Sequence, residues 1–222
     1  MGEIVESREH LNLLAEEGRL RGCTFRRMRL SGLCLSGADL REVVFEQCDL
    51  DQADLGGTDL TGATFRRVDL RGTRFDRALL RGTRLLECYL MQIGLWGAQL
   101  SNVEFVQSDM SNAELVRAHL YRCTFTGCNA YGLKLQGAVL SRCSFSHSDL
   151  GAVQLTRAQL AQATLIQVEL PGANLIRADL RRALLVKCNL RSAQFKDALL
   201  DDLVLVSCAT AGADLPPALK GL

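Results

Sequence analysis

Four consecutive residues, Ser146-His147-Ser148-Asp149, carry the letters of a hydrolase triad: hydroxyl nucleophile, imidazole base and orienting carboxylate. Nine cysteines and three histidines add raw material for a metal site or a disulfide framework. Chemistry of either kind needs side chains that converge on one point, so the element carrying them decides. The histidines are scattered, at His10, His119 and His147. Eight of the nine cysteines, all but Cys34, recur at one phase of a five-residue period. Cys123 and Cys128 would then point inward on adjacent sides of a coil with no histidine beside them, which is no metal geometry. Cys123 and Cys143, like Cys188 and Cys208, would stack in parallel, an aim that does not form a disulfide. Neither a Walker loop nor a glycine-rich dinucleotide motif occurs. No catalytic, metal-binding or cofactor-binding residue is expected, and the chain reads as a non-enzyme.

The period itself is the dominant signal. Leucine or phenylalanine occupies residue numbers divisible by five from Leu20 to Leu205, 38 slots in all, with only Met110 and Ala130 departing. Five suits neither the 3.6-residue helix nor the two-residue strand. It requires a chain that turns by a constant amount every five residues, a solenoid. Two residues before each large position, 33 of the 38 slots hold Gly, Ala, Cys, Ser, Thr or Val. A large and a small side chain therefore share a narrow core. The two residues after the large one are polar or glycine, with 12 of the 19 glycines at the second, where a tight turn accepts them.

Ala38-Asp39-Leu40, Ala53-Asp54-Leu55, Ala173-Asn174-Leu175 and Ala178-Asp179-Leu180 match the motif A(D/N)LXX, and the array resembles the pentapeptide-repeat family over residues 18–208. That resemblance implies an all-β fold, a right-handed quadrilateral β-helix with four pentapeptides per coil. Positions twenty apart should then stack. The column from Leu20 to Leu200 is leucine in all ten members, and the next column, from Phe25 to Leu205, holds six of the eight phenylalanines. The repeats would make about 9.5 coils and a rod on the order of 45 Å long at the usual strand spacing.

One domain is expected, with residues 1–17 an N-terminal helical cap, 18–208 the β-helix and 209–222 a C-terminal cap or tail. Ser7 can cap a short helix whose Leu11 and Leu14 face the first coil and which Gly18 ends. After Cys208 the lattice loses its large residue at Thr210, and Pro216-Pro217 stops further coiling. Leu199, Leu203, Val204 and Val206 leave that end more apolar than a free surface needs, which suits either a tail folded over the last coil or a homodimer interface. No apolar run is long enough to span a membrane, and the first residues lack the pattern of a signal peptide. With an odd cysteine count, a reduced, cytoplasmic protein is expected.

Two outward surfaces are candidates for binding a partner. Asp49, Asp69, Asp109, Asp149 and Glu169 fall in one column and form an acidic stripe. The resemblance includes proteins that protect DNA gyrase and topoisomerase IV from quinolones by imitating duplex DNA, and such a stripe would be the imitation. Local backbone bonding by Asp is the structural alternative. Tyr89, Met91, Trp96, Val116, Tyr121 and Tyr131 occupy outward slots near the middle and suggest an apolar partner patch. The net charge is +1, with −4 in residues 1–17 and so +5 in the remainder, which departs from a DNA mimic. Basic residues alternate with acidic ones along the chain and no recognition helix is present, so direct nucleic-acid binding is not expected. A protein partner is expected instead, either a type II topoisomerase or a component of a secretion or regulatory assembly that this chain serves as an adaptor.

Overall fold

A computed structural model describes residues 3–219, so the first two residues of the expected N-terminal cap and the last three of the expected tail lie outside it. The chain winds as a four-sided parallel β-solenoid of about ten coils. Every large residue of the lattice lies on the axis side. Leu40, Leu60, Leu120 and Leu140 are within 1% of complete burial, as are the small partners Ala53, Ala113 and Ala178.

Four sides repeat in order, centred on Phe25, Leu30, Leu35 and Leu40 and on the residues twenty further along. The first side is an eleven-stranded parallel sheet of short strands with a twenty-residue register, Phe25 opposite Phe45 and Phe45 opposite Phe65. The other sides are joined mostly by single bridges such as Asp49–Asp69, Asp54–Arg74 and Asp39–Asp59. Rings stack along the first side, with centroids 4.7 Å apart for Phe105–Phe125 and 4.5 Å for Phe125–Phe145, near the spacing that parallel strands impose.

Most corners are turns in which the inward N–H donates back three residues, as Ala53 does to the Leu50 carbonyl at 3.0 Å. The third turn residue then lies in the left-handed region. Glycine serves there at Gly62 (φ 71), but Gln52 (φ 54), Arg77 (φ 59) and Ala152 (φ 55) adopt it too.

The corner leaving the first side is different. It too passes through a left-handed residue, as at Gln47 (φ 55) and Glu87 (φ 55), but without the N–H bond three residues back, and cysteine or serine fills the inward slot in most coils. The Sγ of Cys48, Cys88, Cys128 and Cys188 donates to the carbonyls of Phe25, Phe65, Phe105 and Leu165 at 3.4–3.5 Å. Ser108 Oγ accepts the N–H of Cys88 at 3.0 Å, and Ser148 Oγ that of Cys128 at 3.1 Å. Cysteine here is a small donor at a corner without a turn, which adds to the sequence reading of it as a small apolar filler.

Ser7 caps the helix Arg8–Glu16, accepting the N–H of His10, and Leu11 and Leu14 are buried against the first coil. Ahead of it, Ile4–Val5 pairs with Thr24–Phe25 and extends the main sheet by a strand. At the other end the lattice resumes past Thr210: Ala213 and Leu215 are 6% and 2% exposed, and a 3-10 turn follows at Pro217–Leu219. The coil thus continues beyond residue 208, because one missing large residue does not break a register held by turns and backbone bonds.

Candidate interaction surfaces

The triad letters are dispersed by the coil. Ser146 and His147 face out, whereas Ser148 is 3% exposed and its hydroxyl is committed to the Cys128 N–H and the Ser146 carbonyl. Asp149 Oδ1 accepts the N–H of Gly151 at 2.8 Å. Among the described residues no group of three metal-ligating side chains converges.

The carboxylates of the acidic column do local work. Asp49 and Asp109 accept the N–H groups of Asp51 and Ser111, each at 3.0 Å, so each carboxylate closes the turn two residues on. Arg71 grips Asp69 through two nitrogens, holding its carboxyl below the ordinary range and cancelling its charge. Glu169 accepts from Asn189. Tyr89 stands between Asp69 and Asp109 in the same ladder and interrupts the stripe.

The six outward apolar residues do not form one patch. Tyr89 belongs to the second side, and Met91 and Tyr131 to the corner after it. Trp96 and Val116 sit at the corner between the third and fourth sides, and Tyr121 ends a strand of the fourth. Sides two and four are half a coil apart, on opposite flanks of the rod, so sequence proximity was misleading. Tyr131 lies over Gly151, where an added Cβ would sit 3.0 Å from its ring. Trp96 is 50% exposed and carries the Arg77 guanidinium 5.3 Å from its ring centroid.

At the C-terminal end Leu199, Val204 and Val206 are 40–50% exposed. Leu203 is not part of that surface. It is 6% exposed, because its phase is that of the small inward slot. Among the described residues, strand Val204–Val206 pairs on one edge only, with Leu184–Val186. No helix is long and apolar enough to cross a membrane among the described residues.

A family model described as a pentapeptide repeat region matches residues 19–95 and 98–175, and one for pentapeptide repeats matches residues 163–202. The chain belongs to the pentapeptide-repeat family. Among solved structures it is similar to HetL of the cyanobacterium Nostoc sp. strain PCC 7120, a pentapeptide repeat protein involved in heterocyst differentiation regulation. The two share 26% identity over 96% of this chain and 98% of that one, with a TM-score of 0.59. It is also similar to Rfr23 of the cyanobacterium Cyanothece 51142, at 22% identity over 51% of this chain and 90% of that one, TM-score 0.49. Full-length QnrB1, a plasmid-mediated fluoroquinolone resistance protein, matches at 17% identity over 88% and 94% of the two chains, TM-score 0.36. No curated protein matches the sequence.

Two features escaped sequence reading. The strand at Ile4–Val5 lies outside the lattice and had only two β-branched residues as a signal. The acid-poor middle of the fourth side emerges only when outward positions are read at a period of twenty.

Proposed function

We propose that this pentapeptide-repeat protein is a non-catalytic adaptor that joins protein chains in a regulatory assembly. In this reading its C-terminal end pairs with a second copy, and its sides are left for the partner. The observation that carries it is the half-exposed Val204 and Val206 on a terminal strand whose far edge is unpaired among the described residues. Apolar side chains beside a row of free backbone groups are a surface that proteins cover. The similarity to HetL, a regulatory protein of nearly equal length, supports the regulatory half of the reading. Nine unpaired thiols support a reducing compartment, the cytoplasm.

Topoisomerase protection by DNA mimicry has less support. The mimic would present unbroken negative charge, and this column is interrupted by Tyr89 and neutralised at Asp69. Light scattering tests the adaptor reading: the wild type should weigh twice the 24.4 kDa chain, and Val204→Lys with Val206→Lys should return it to one chain mass. A monomeric wild type at micromolar concentration overturns the pairing. Gyrase supercoiling in the presence of a quinolone should be unaffected by the protein, and its rescue would restore the mimic reading.

A further inference from the structure

The fourth side differs from the others in charge. At its outward positions and at both bounding corners, from Arg77 through Gln162, no residue is aspartate or glutamate; Asp76, just before Arg77 at the same corner, is paired with Arg74 and accepts the Trp96 N–H. The acids of this column lie only toward the ends, at Asp39, Asp59 and Asp179. Between them its central lane holds Gln99, His119 and Val139 in succession.

Two rows of arginine flank that lane. Arg77, Arg117 and Arg157 line one corner and Arg81, Arg122 and Arg142 the other, all exposed. Among the described residues none of the six makes an ion pair, whereas most arginines elsewhere on the rod are held by acids, as Arg26 by Glu46, Arg67 by Glu87 and Arg84 by Glu104. Acids and bases alternate along the sequence, yet over this middle stretch the coil collects bases without acids. That removes the ground on which sequence alone argued against nucleic acid.

Aromatic rings punctuate both rows. Trp96 lies beneath Arg77, and Tyr121, 42% exposed, lies beneath Arg122 at 5.2 Å while its hydroxyl accepts from Arg142 at 3.2 Å. Next to Tyr121 is a shallow depression of about 410 Å³ lined by Arg81, Gln99, Ser101 and His119. Amide, hydroxyl and imidazole groups there can hydrogen-bond the edge of a planar base resting on the tyrosine ring.

We propose that this side binds a single-stranded nucleic acid, with the arginine rows on its phosphates and Trp96 and Tyr121 stacking unpaired bases. Charge complementarity selects a polyanion. The exposed rings favour an unpaired strand over an acidic peptide or a duplex, because only unpaired bases offer free faces and no element projects to enter a groove.

The test is fluorescence anisotropy of labelled oligothymidylate, about twenty nucleotides long, with the full chain at two salt concentrations. Arg117→Gln with Arg122→Gln and Arg142→Gln should flatten the log–log salt slope by about 2, at roughly 0.7 for each phosphate lost. Trp96→Ala with Tyr121→Ala should weaken binding by about tenfold or more. Arg29→Gln with Arg66→Gln and Arg191→Gln removes the same charge from other sides and should leave binding unchanged. All these side chains are exposed, and thermal melts verify that each variant folds. No saturable binding at low salt overturns the proposal. So does an equal loss in the control triple, equal affinity for a duplex, or binding of polyglutamate in place of the oligonucleotide.

Discussion

Ser108 and Cys88 show how the lattice sets residue types that composition alone would treat as interchangeable small fillers. Ser108 Oγ accepts the N–H of Cys88, a buried donor for which this corner provides no turn carbonyl. Ser108→Ala should therefore destabilise by about 1–3 kcal/mol in a denaturant melt, the cost of a buried unpaired donor, although the volume change is small. Cys88→Ser should cost less, since a hydroxyl can replace the thiol toward Phe65. The left-handed turn positions allow a test of opposite sign. Ala152 holds φ 55 with a side chain of one methyl, so Ala152→Gly should stabilise by about 0.5–1 kcal/mol. Burial pushes the Cys88 thiol from its ordinary 9.0 up to about 12. A raised folded pKa contributes stability at lower pH that is lost on ionisation, so stability should fall as pH rises from about 9 toward 12, and Cys88→Ser should blunt that fall. Thiol titration at neutral pH should label exposed Cys34 first, its pKa lowered by hydrogen bonding to Ser36, and the seven fully buried cysteines only on unfolding.

At one corner, volume is exchanged between two residues of an element rather than kept at each. Ala130 is one of two positions lacking Leu or Phe, and Leu133, joined to it by an N–H to carbonyl bond of 3.1 Å, places a large side chain in a slot that holds Ala, Thr or Val in most coils. The pair exchanges sizes around one corner. Ala130→Leu alone should overpack that corner by about 1–3 kcal/mol, and adding Leu133→Ala should recover much of the loss. Additive melts would show that the two sites are independent. Where no exchange is available, Leu120→Ala should cost about 2–5 kcal/mol. The solenoid and its inward slots were legible in the sequence because packing repeats at one phase without insertion. The candidate surfaces were less so. Tyr89 and Trp96 are seven residues apart yet face different flanks, and Leu203 looked like surface until its phase placed it inside.

At the scale of the whole rod, each coil touches mainly the coils before and after it, so stability is a sum over coils and their interfaces. Length should therefore be adjustable in whole coils. Deleting residues 141–160 removes one coil and brings Tyr121 and Arg122 beneath Ala161 and Gln162, positions of the same phase, with inward Leu140 stacked on Leu180 in place of Leu160. That variant should fold cooperatively, with a modestly lower melting temperature and an unchanged circular-dichroism shape. Deleting only residues 141–142 is a far smaller change in mass, but it shifts every later leucine out of the inward phase and turns the polar turn residues into the core. The shorter deletion should therefore be the destructive one, yielding aggregated protein or a broad, non-cooperative melt. If both variants melted alike, the five-residue phase would not be what fixes the core. If the whole-coil deletion alone failed, the coils would be coupled beyond their nearest neighbours.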